Sequence, residues 1–121
     1  MKPLYYLATC YRKHPGGLEA AYVMACENTA LLMKAGIDGF CPISHGHGPS
    51  IHGNMNKTDH ALWMRIDKAF LQRCDGLIVL MSENWQLSDG IAEEITYMKS
   101  VGKPIIFMNP GTIPTELLRA A

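Results

Sequence analysis

The stretch "DGLIVLMSENWQLSDGIAEEITYMKSVGKPIIFMN", residues 75–109, sets an apolar run, a polar turn, a helical pattern and a second apolar run one after another. "DGLIVLM" has no polar alternation, which marks a strand covered on both faces. "IAEEITYMKSV" repeats its apolar positions at helical spacing, and "KPIIFMN" is again a strand. Upstream, "LYYLATC" (4–10) is a buried strand running into the polar, glycine-bearing "YRKHPGG". Leu18 to Lys34 is a helical pattern that Gly36 closes, and "DGFCPI" is a further short strand. Residues 44–57, "SHGHGPSIHGNMNK", are expected to form a functional loop, since glycine and proline punctuate them throughout. Thr58 or Asp59 caps the next helix, which runs to about Arg73, and a short helix starts near Pro114.

Strands and helices that alternate in this way build a parallel sheet with helices on both faces. The expected fold is a small doubly wound α/β domain, flavodoxin-like or Rossmann-like, with four to five strands flanked by helices. Ligands in such sheets bind at the carboxyl ends of the strands, near the reversal in strand order. The segments after residues 10, 43, 81 and 108 should therefore share one edge.

With 121 residues, 48% of them hydrophobic, the chain supports one core, and a single domain over 1–121 is expected. Eleven basic residues balance eleven acidic ones, which argues against a nucleic-acid polymer or an anionic membrane surface as partner. The longest apolar runs fall far short of the roughly 20 residues that span a bilayer, and no signal-peptide pattern opens the chain. A cytoplasmic protein is expected. Cys10, Cys26, Cys41 and Cys74 lack paired spacing, so they suggest buried thiols rather than a zinc ribbon or redox motif.

On a wheel of about 100° per residue with Ile91 at zero, Ile95, Met98 and Val101 fall near 40°, 340° and 280°. Glu94 falls near 300°, inside this apolar stripe, whereas Glu93 near 200° faces outward. A carboxylate on the buried side must be paired, hydrogen-bonded or shifted in pKa. A core glutamate satisfied by backbone amides or a nearby base is the alternative to a functional one. Asp67 presents the same choice: in "LWMRIDKAFLQRCD" it lies at the edge of a face made by Leu62, Ile66, Ala69 and Phe70, beside Trp63.

Arg12, Lys13 and His14 precede Pro15, Gly16 and Gly17 at a helix start, where free amides and cations suit an anion. Neither a Walker motif nor a full dinucleotide fingerprint is present. His45 and His47 form an H-x-H with His52 and His60 beyond, but no acidic residue lies among them. Contacts to a base or sugar from a loop over the pocket are the expected role, against a metal site or a plain exposed loop. Cys10 and Cys41 fall near strand ends without a partner that would make either a nucleophile.

Three blocks together resemble the nucleoside 2-deoxyribosyltransferase superfamily. They look closest to its 2′-deoxynucleoside 5′-monophosphate N-hydrolases and to a small uncharacterised family of bacterial and phage proteins grouped with them. "YYLATCYR" is similar to the opening strand, with Tyr6 on the family's tyrosine. "RIDKAFLQRCDGLIVL" puts Asp67 on its active-site aspartate. "SDGIAEEITYMKSVGKPIIF" is the most specific block and puts Glu94 on the nucleophile. Ser88 stands where nucleoside transferases carry an aspartate and the nucleotide hydrolases a phosphate-holding serine, which tilts the substrate toward a nucleotide.

The resemblance implies displacement at the anomeric carbon of a (deoxy)ribosyl group. Glu94 would be the nucleophile, Asp67 would position the sugar or help protonate the base, and Tyr6 would orient Glu94. Ser88, Arg12 and the amides before Leu18 would hold phosphate, Gly90 would contact the substrate, and the loop from His45 through His47 to His52, with Trp63 or Trp85, would cover the base. No metal or organic cofactor is implied, and a homo-oligomer is. A non-catalytic nucleotide-binding module, an NAD-directed glycohydrolase and a metal-dependent hydrolase through His45 and His47 are the rival expectations.

Overall fold

The structure is a computed structural model and describes residues 2–120. Its elements are β1 (Leu4–Ala8), α1 (Leu18–Lys34), β2 (Asp38–Phe40), α2 (Pro42–His52), α3 (His60–Leu71), β3 (Gly76–Leu80), α4 (Asp89–Ser100), β4 (Ile105–Met108) and α5 (Thr115–Ala120). A single 3₁₀ turn, Trp85–Leu87, precedes α4. The four strands are all parallel in the order β2-β1-β3-β4. This is the small doubly wound α/β fold that the alternating pattern implies, and strand order reverses between β1 and β3.

Both faces of the central strands β1 and β3 are buried beyond Leu4, as strands without polar alternation require. Successive residues point to opposite faces. Tyr5, Leu7, Ile78, Leu80 and Met108 therefore pack with Ala25 and Leu32 of α1 and Leu117 of α5. Tyr6, Ala8, Leu77 and Val79 pack on the other side with Leu71, Ile91 and Met98 from α3 and α4. Full burial of each such large side chain contributes about 1.5–3 kcal/mol. Gly36 ends α1 in the left-handed region, φ +74, where a side chain would be strained, and the Ile37 amide donates to the Leu32 carbonyl.

One expected loop is a helix. Within 44–57, residues up to His52 belong to α2, although Gly46 and Gly48 each disfavour a helix by about 1 kcal/mol and Pro49 removes an amide donor. Tertiary packing outweighs these preferences. Pro42, Gly46, His47 and Ser50 form a buried stripe, and a Cβ on Gly46 would stand 3.1 Å from the Trp63 ring. "DGFCPI" shortens accordingly: its strand ends at Phe40, and Pro42 opens α2.

Two expected helix faces also shift. Ala69 and Phe70 of α3 face outward, Phe70 stacked on Phe40 with ring centroids 4.2 Å apart, while Asp67 and Leu71 are buried. Val101 lies beyond the last turn of α4 and is exposed, so Ile91, Glu94 and Met98 form the buried stripe there.

Candidate active site

A cavity of about 180 Å³ opens at the carboxyl ends of the strands. Thr9, Tyr11, Arg12 and Lys13 follow β1, and Pro42, Ile43, Gly46, His47 and Ser50 come from the start and buried stripe of α2. Lys57 and Thr58 from the α2–α3 link, with His60, Trp63, Met64 and Asp67 of α3, close one side. Ser88, Asp89, Gly90 and Glu94 at the start of α4 close another. The segments after β1, β2 and β3 thus share the expected edge, whereas the segment after β4 contributes no lining residue.

Glu94 has a core position that its periodicity dictates: it is 5% exposed, on the stripe of α4 that packs against the sheet. The hydroxyl of Tyr6, fully buried on β1, donates to Glu94 Oε2. Burial raises the Glu94 pKa from 4.5 to about 8; the Tyr6 hydrogen bond opposes the rise and the nearby Asp67 charge adds to it. Burial also pushes the Tyr6 phenol far up, reinforced by Glu94, so this hydroxyl stays a donor throughout the ordinary pH range.

Asp67 is 8% exposed and belongs to the centre of the buried face of α3 rather than its edge. Among the described residues no side chain or amide hydrogen-bonds its carboxyl, and burial alone lifts its pKa from 3.8 to about 6. Two raised carboxyls therefore share one cavity, a combination that marks functional sites more often than plain structural ones.

Ser88 caps α4: its Oγ accepts from the Ile91 amide at 3.2 Å, which leaves the hydroxyl proton available to a ligand. Gly90 faces the cavity beside it, and a Cβ there would meet only Ser88 Oγ at 3.8 Å and Met64 Sδ at 4.0 Å. Arg12 and Lys13 reach the cavity from the first loop, and Lys57 from the α2–α3 link. None of these three cations forms an ion pair with a described carboxylate.

Two residues expected over the base lie elsewhere. Because α2 is helical, His45 and His47 are about 200° apart and cannot face the same side. His47 turns to the cavity, while His45 packs against Phe40 and Phe70 at ring distances of 5.3 Å and 5.4 Å. Trp85 sits in the 3₁₀ turn against Phe107 of β4, 5.7 Å between centroids, and does not line the cavity. Trp63 does, with its indole N–H donating to the Asn56 carbonyl at 2.8 Å.

Sequence reasoning missed Tyr11, Glu19, Ser50, Lys57 and the pairing of His60 with Glu93. Glu93 faces outward as expected, but its carboxylate meets His60 Nε2 at 2.9 Å across α3 and α4. His47 Nδ1 lies 2.7 Å from the Tyr11 hydroxyl and Nε2 lies 2.9 Å from Glu19. These partners are dozens of residues apart in sequence with no shared pattern to announce them. No group of three or more His, Cys, Asp or Glu among the described residues is placed to hold a metal ion. All four cysteines are free, and burial raises the thiol pKa of Cys10, Cys41 and Cys74.

A family model described as a domain of unknown function, DUF1937, matches residues 3–110. The chain belongs to that family. The matched span takes in all four strands and every cavity-lining residue and leaves α5 outside. No curated protein matches the chain.

Proposed function

We propose that the protein cleaves or transfers the N-glycosidic bond of a (deoxy)nucleotide, as a nucleoside 5′-monophosphate N-hydrolase, through a glutamate nucleophile. The observation that carries this is the buried Glu94 carboxyl, held by the Tyr6 hydroxyl, in one cavity with Asp67 and with Arg12 and Lys13, which pair with no carboxylate among the described residues. A carboxylate below the sugar stabilises an oxocarbenium-like transition state and can bond to the anomeric carbon.

Attack by a Glu94 oxygen at C1′ breaks the C1′–N bond, and the electron pair leaves with the base, which takes up a proton. Water then attacks C1′ of the glycosyl ester and returns Glu94 as carboxylate; a second base in place of water gives transfer. Burial leaves about one proton on the Glu94–Asp67 pair near neutral pH, resting on Glu94. Glu94 must release it before attack, and both the Tyr6 hydrogen bond and the positive sugar favour the carboxylate. Asp67 holds the sugar from α3. Ser88, Gly90 and Arg12 hold the 5′-phosphate, with Lys13 and Lys57 near, and His47 and Trp63 flank the base.

Incubation with deoxy- and ribonucleoside 5′-monophosphates, with and without an acceptor base, followed by chromatography of free base, tests this. Base release should fall at least about 1,000-fold in Glu94→Gln. Nucleotide binding without release, unaffected by that substitution, would replace the reading with a binding module. The same proposal includes a cytoplasmic homo-oligomer: β4 is a sheet edge and exposes Phe107 beside Trp85, and sedimentation of a monomer would remove that part. No helix of the described residues is long and apolar enough to cross a membrane.

A further inference from the structure

On the cavity wall contributed by α2, a hydroxyl, an imidazole and a carboxylate stand in series. The Tyr11 hydroxyl lies 2.7 Å from His47 Nδ1, and His47 Nε2 lies 2.9 Å from Glu19 Oε2. The His47 side chain is 3% exposed and that of Glu19 73%, so the series runs from the cavity to solvent. The imidazole cannot drift: it stacks on Tyr22 with centroids 4.3 Å apart and planes 17° from parallel, and Tyr11 meets it edge-on. The Ser50 hydroxyl adds a hydrogen bond to the His47 carbonyl at 2.6 Å. Tyr11, His47 and Ser50 all line the cavity that holds Glu94 and Asp67.

A clamp between α1 and α2 would explain the His47–Glu19 bond. It does not explain why the other ring nitrogen engages a phenol at the cavity. A hydroxyl on an imidazole that a carboxylate orients is the arrangement that moves protons in hydrolytic triads. Glu19 accepts from Nε2–H, which fixes the orientation of the ring. When Nδ1 also carries a proton it donates to the Tyr11 oxygen, and the phenolic proton is then free for a ligand.

We infer that Tyr11 is the catalytic proton donor to the departing base, with His47 and Glu19 as positioning residues that supply and hold the proton behind it. This rests on the glycosyl reaction proposed above. As the C1′–N bond breaks, the electron pair goes to the base nitrogen, which takes the Tyr11 proton; the phenolate takes the Nδ1 proton, and His47 becomes neutral. Water enters the place the base has left and attacks C1′. Its proton passes to the Tyr11 oxygen and the phenolic proton returns to Nδ1, so the cycle closes without any co-reactant.

The test compares two leaving groups. A natural deoxynucleoside 5′-monophosphate needs protonation of its base, whereas 4-nitrophenyl 2-deoxyribofuranoside 5-phosphate expels a stable anion. Tyr11→Phe should lower first-turnover base release by about 100-fold or more and leave first-turnover nitrophenol release within about threefold. Glu19→Gln, on an exposed side chain, should lower base release by about tenfold and spare nitrophenol. Glu94→Gln should abolish both. Equal losses on the two substrates in Tyr11→Phe and Glu19→Gln would reduce the series to a structural clamp and overturn the inference, as would no loss on either. Should Tyr11→Phe fail a thermal melt, Glu19→Gln decides alone. Release of neither product by the native protein fails the glycosyl reading itself and takes the inference with it.

Discussion

Glu94→Gln probes the burial of Glu94 through stability alone, whatever the activity proves to be. The Glu94 pKa stands at about 8 in the folded protein against an ordinary 4.5, burial being the main cause. Between those values the folded state holds a proton that the unfolded chain has lost, so unfolding free energy falls as pH rises. The contribution is complete below about pH 4.5 and gone above about pH 8. At about 1.4 kcal/mol per tenfold change in acidity, the whole interval is of the order of 5 kcal/mol, a large part of a typical domain's stability. Asp67 acts in the same sense over a lower window, from its ordinary 3.8 up to about 6.

Glutamine keeps the shape and the acceptor for Tyr6 but cannot ionise. Urea midpoints measured at a series of pH values should show the native protein losing about 2 kcal/mol more than Glu94→Gln between about pH 6 and pH 8. All other titratable groups are common to the two proteins, so the difference between the two curves isolates Glu94. Above about pH 8 the variant should be the more stable of the two. Parallel curves over this window would refute the claim that the fold buries an uncompensated carboxyl, and with it the reason for regarding Glu94 as functional rather than structural.

Further outcomes follow from the same geometry. Under the proposed mechanism the kcat/KM for a nucleotide should rise with pH up to about pH 8, because attack requires the Glu94 carboxylate and burial raises its pKa. Asp67→Asn removes a charge that raises the Glu94 pKa and should move this limb to lower pH, while Tyr6→Phe removes a bond that lowers it and should move the limb higher. Shifts in the same direction would contradict the assigned causes. Ser88→Ala deletes the α4 cap and should lower stability by about 1 kcal/mol in urea titration, together with a raised KM for the phosphorylated substrate. Gly76→Ala brings a Cβ to 2.9 Å from the Tyr5 ring and 3.2 Å from Pro104, and should destabilise the protein by about 1–3 kcal/mol; an unchanged melting temperature would show that Tyr5 moves freely.

The fold was legible because its information is local. Apolar runs such as "GLIVL" and stops such as Gly36 need no partner to be recognised. The α2 helix was not, since Gly46, Gly48 and Pro49 all speak against it and only the packing of Trp63 and His47 decides it. That single error carried His45 to the wrong side, because a loop lets both histidines converge and a helix does not. Glu94 was legible from periodicity, and so was the outward aspect of Glu93. Asp67 reads as an edge residue, since the apolar Ala69 and Phe70 suggest a face that in the fold points outward, with Phe70 stacked on Phe40. The contacts of Tyr11 and Glu19 with His47 depend on the crossing of α1 and α2, which no one-dimensional pattern contains.

The way the cavity is assembled separates what the fold fixes from what it leaves adjustable. Tyr6 and Glu94 are core residues, one on the central strand β1 and the other on the buried stripe of α4, so their meeting is a consequence of sheet packing itself. Arg12 and Lys13 project exposed from the first connecting segment, and the half-buried Lys57 from the α2–α3 link. A change in these cations therefore alters what the cavity attracts without disturbing the carboxyl pair, whereas a change at Tyr6 or Glu94 acts on chemistry and core together. Under the proposed function such a division puts the bond-breaking groups on rigid elements and substrate choice on loops, which is how one α/β scaffold accommodates different substrates. Asp67 belongs with the first group and His47 joins both, since its ring is buried between helices while its hydrogen bonds reach a tyrosine on the first loop.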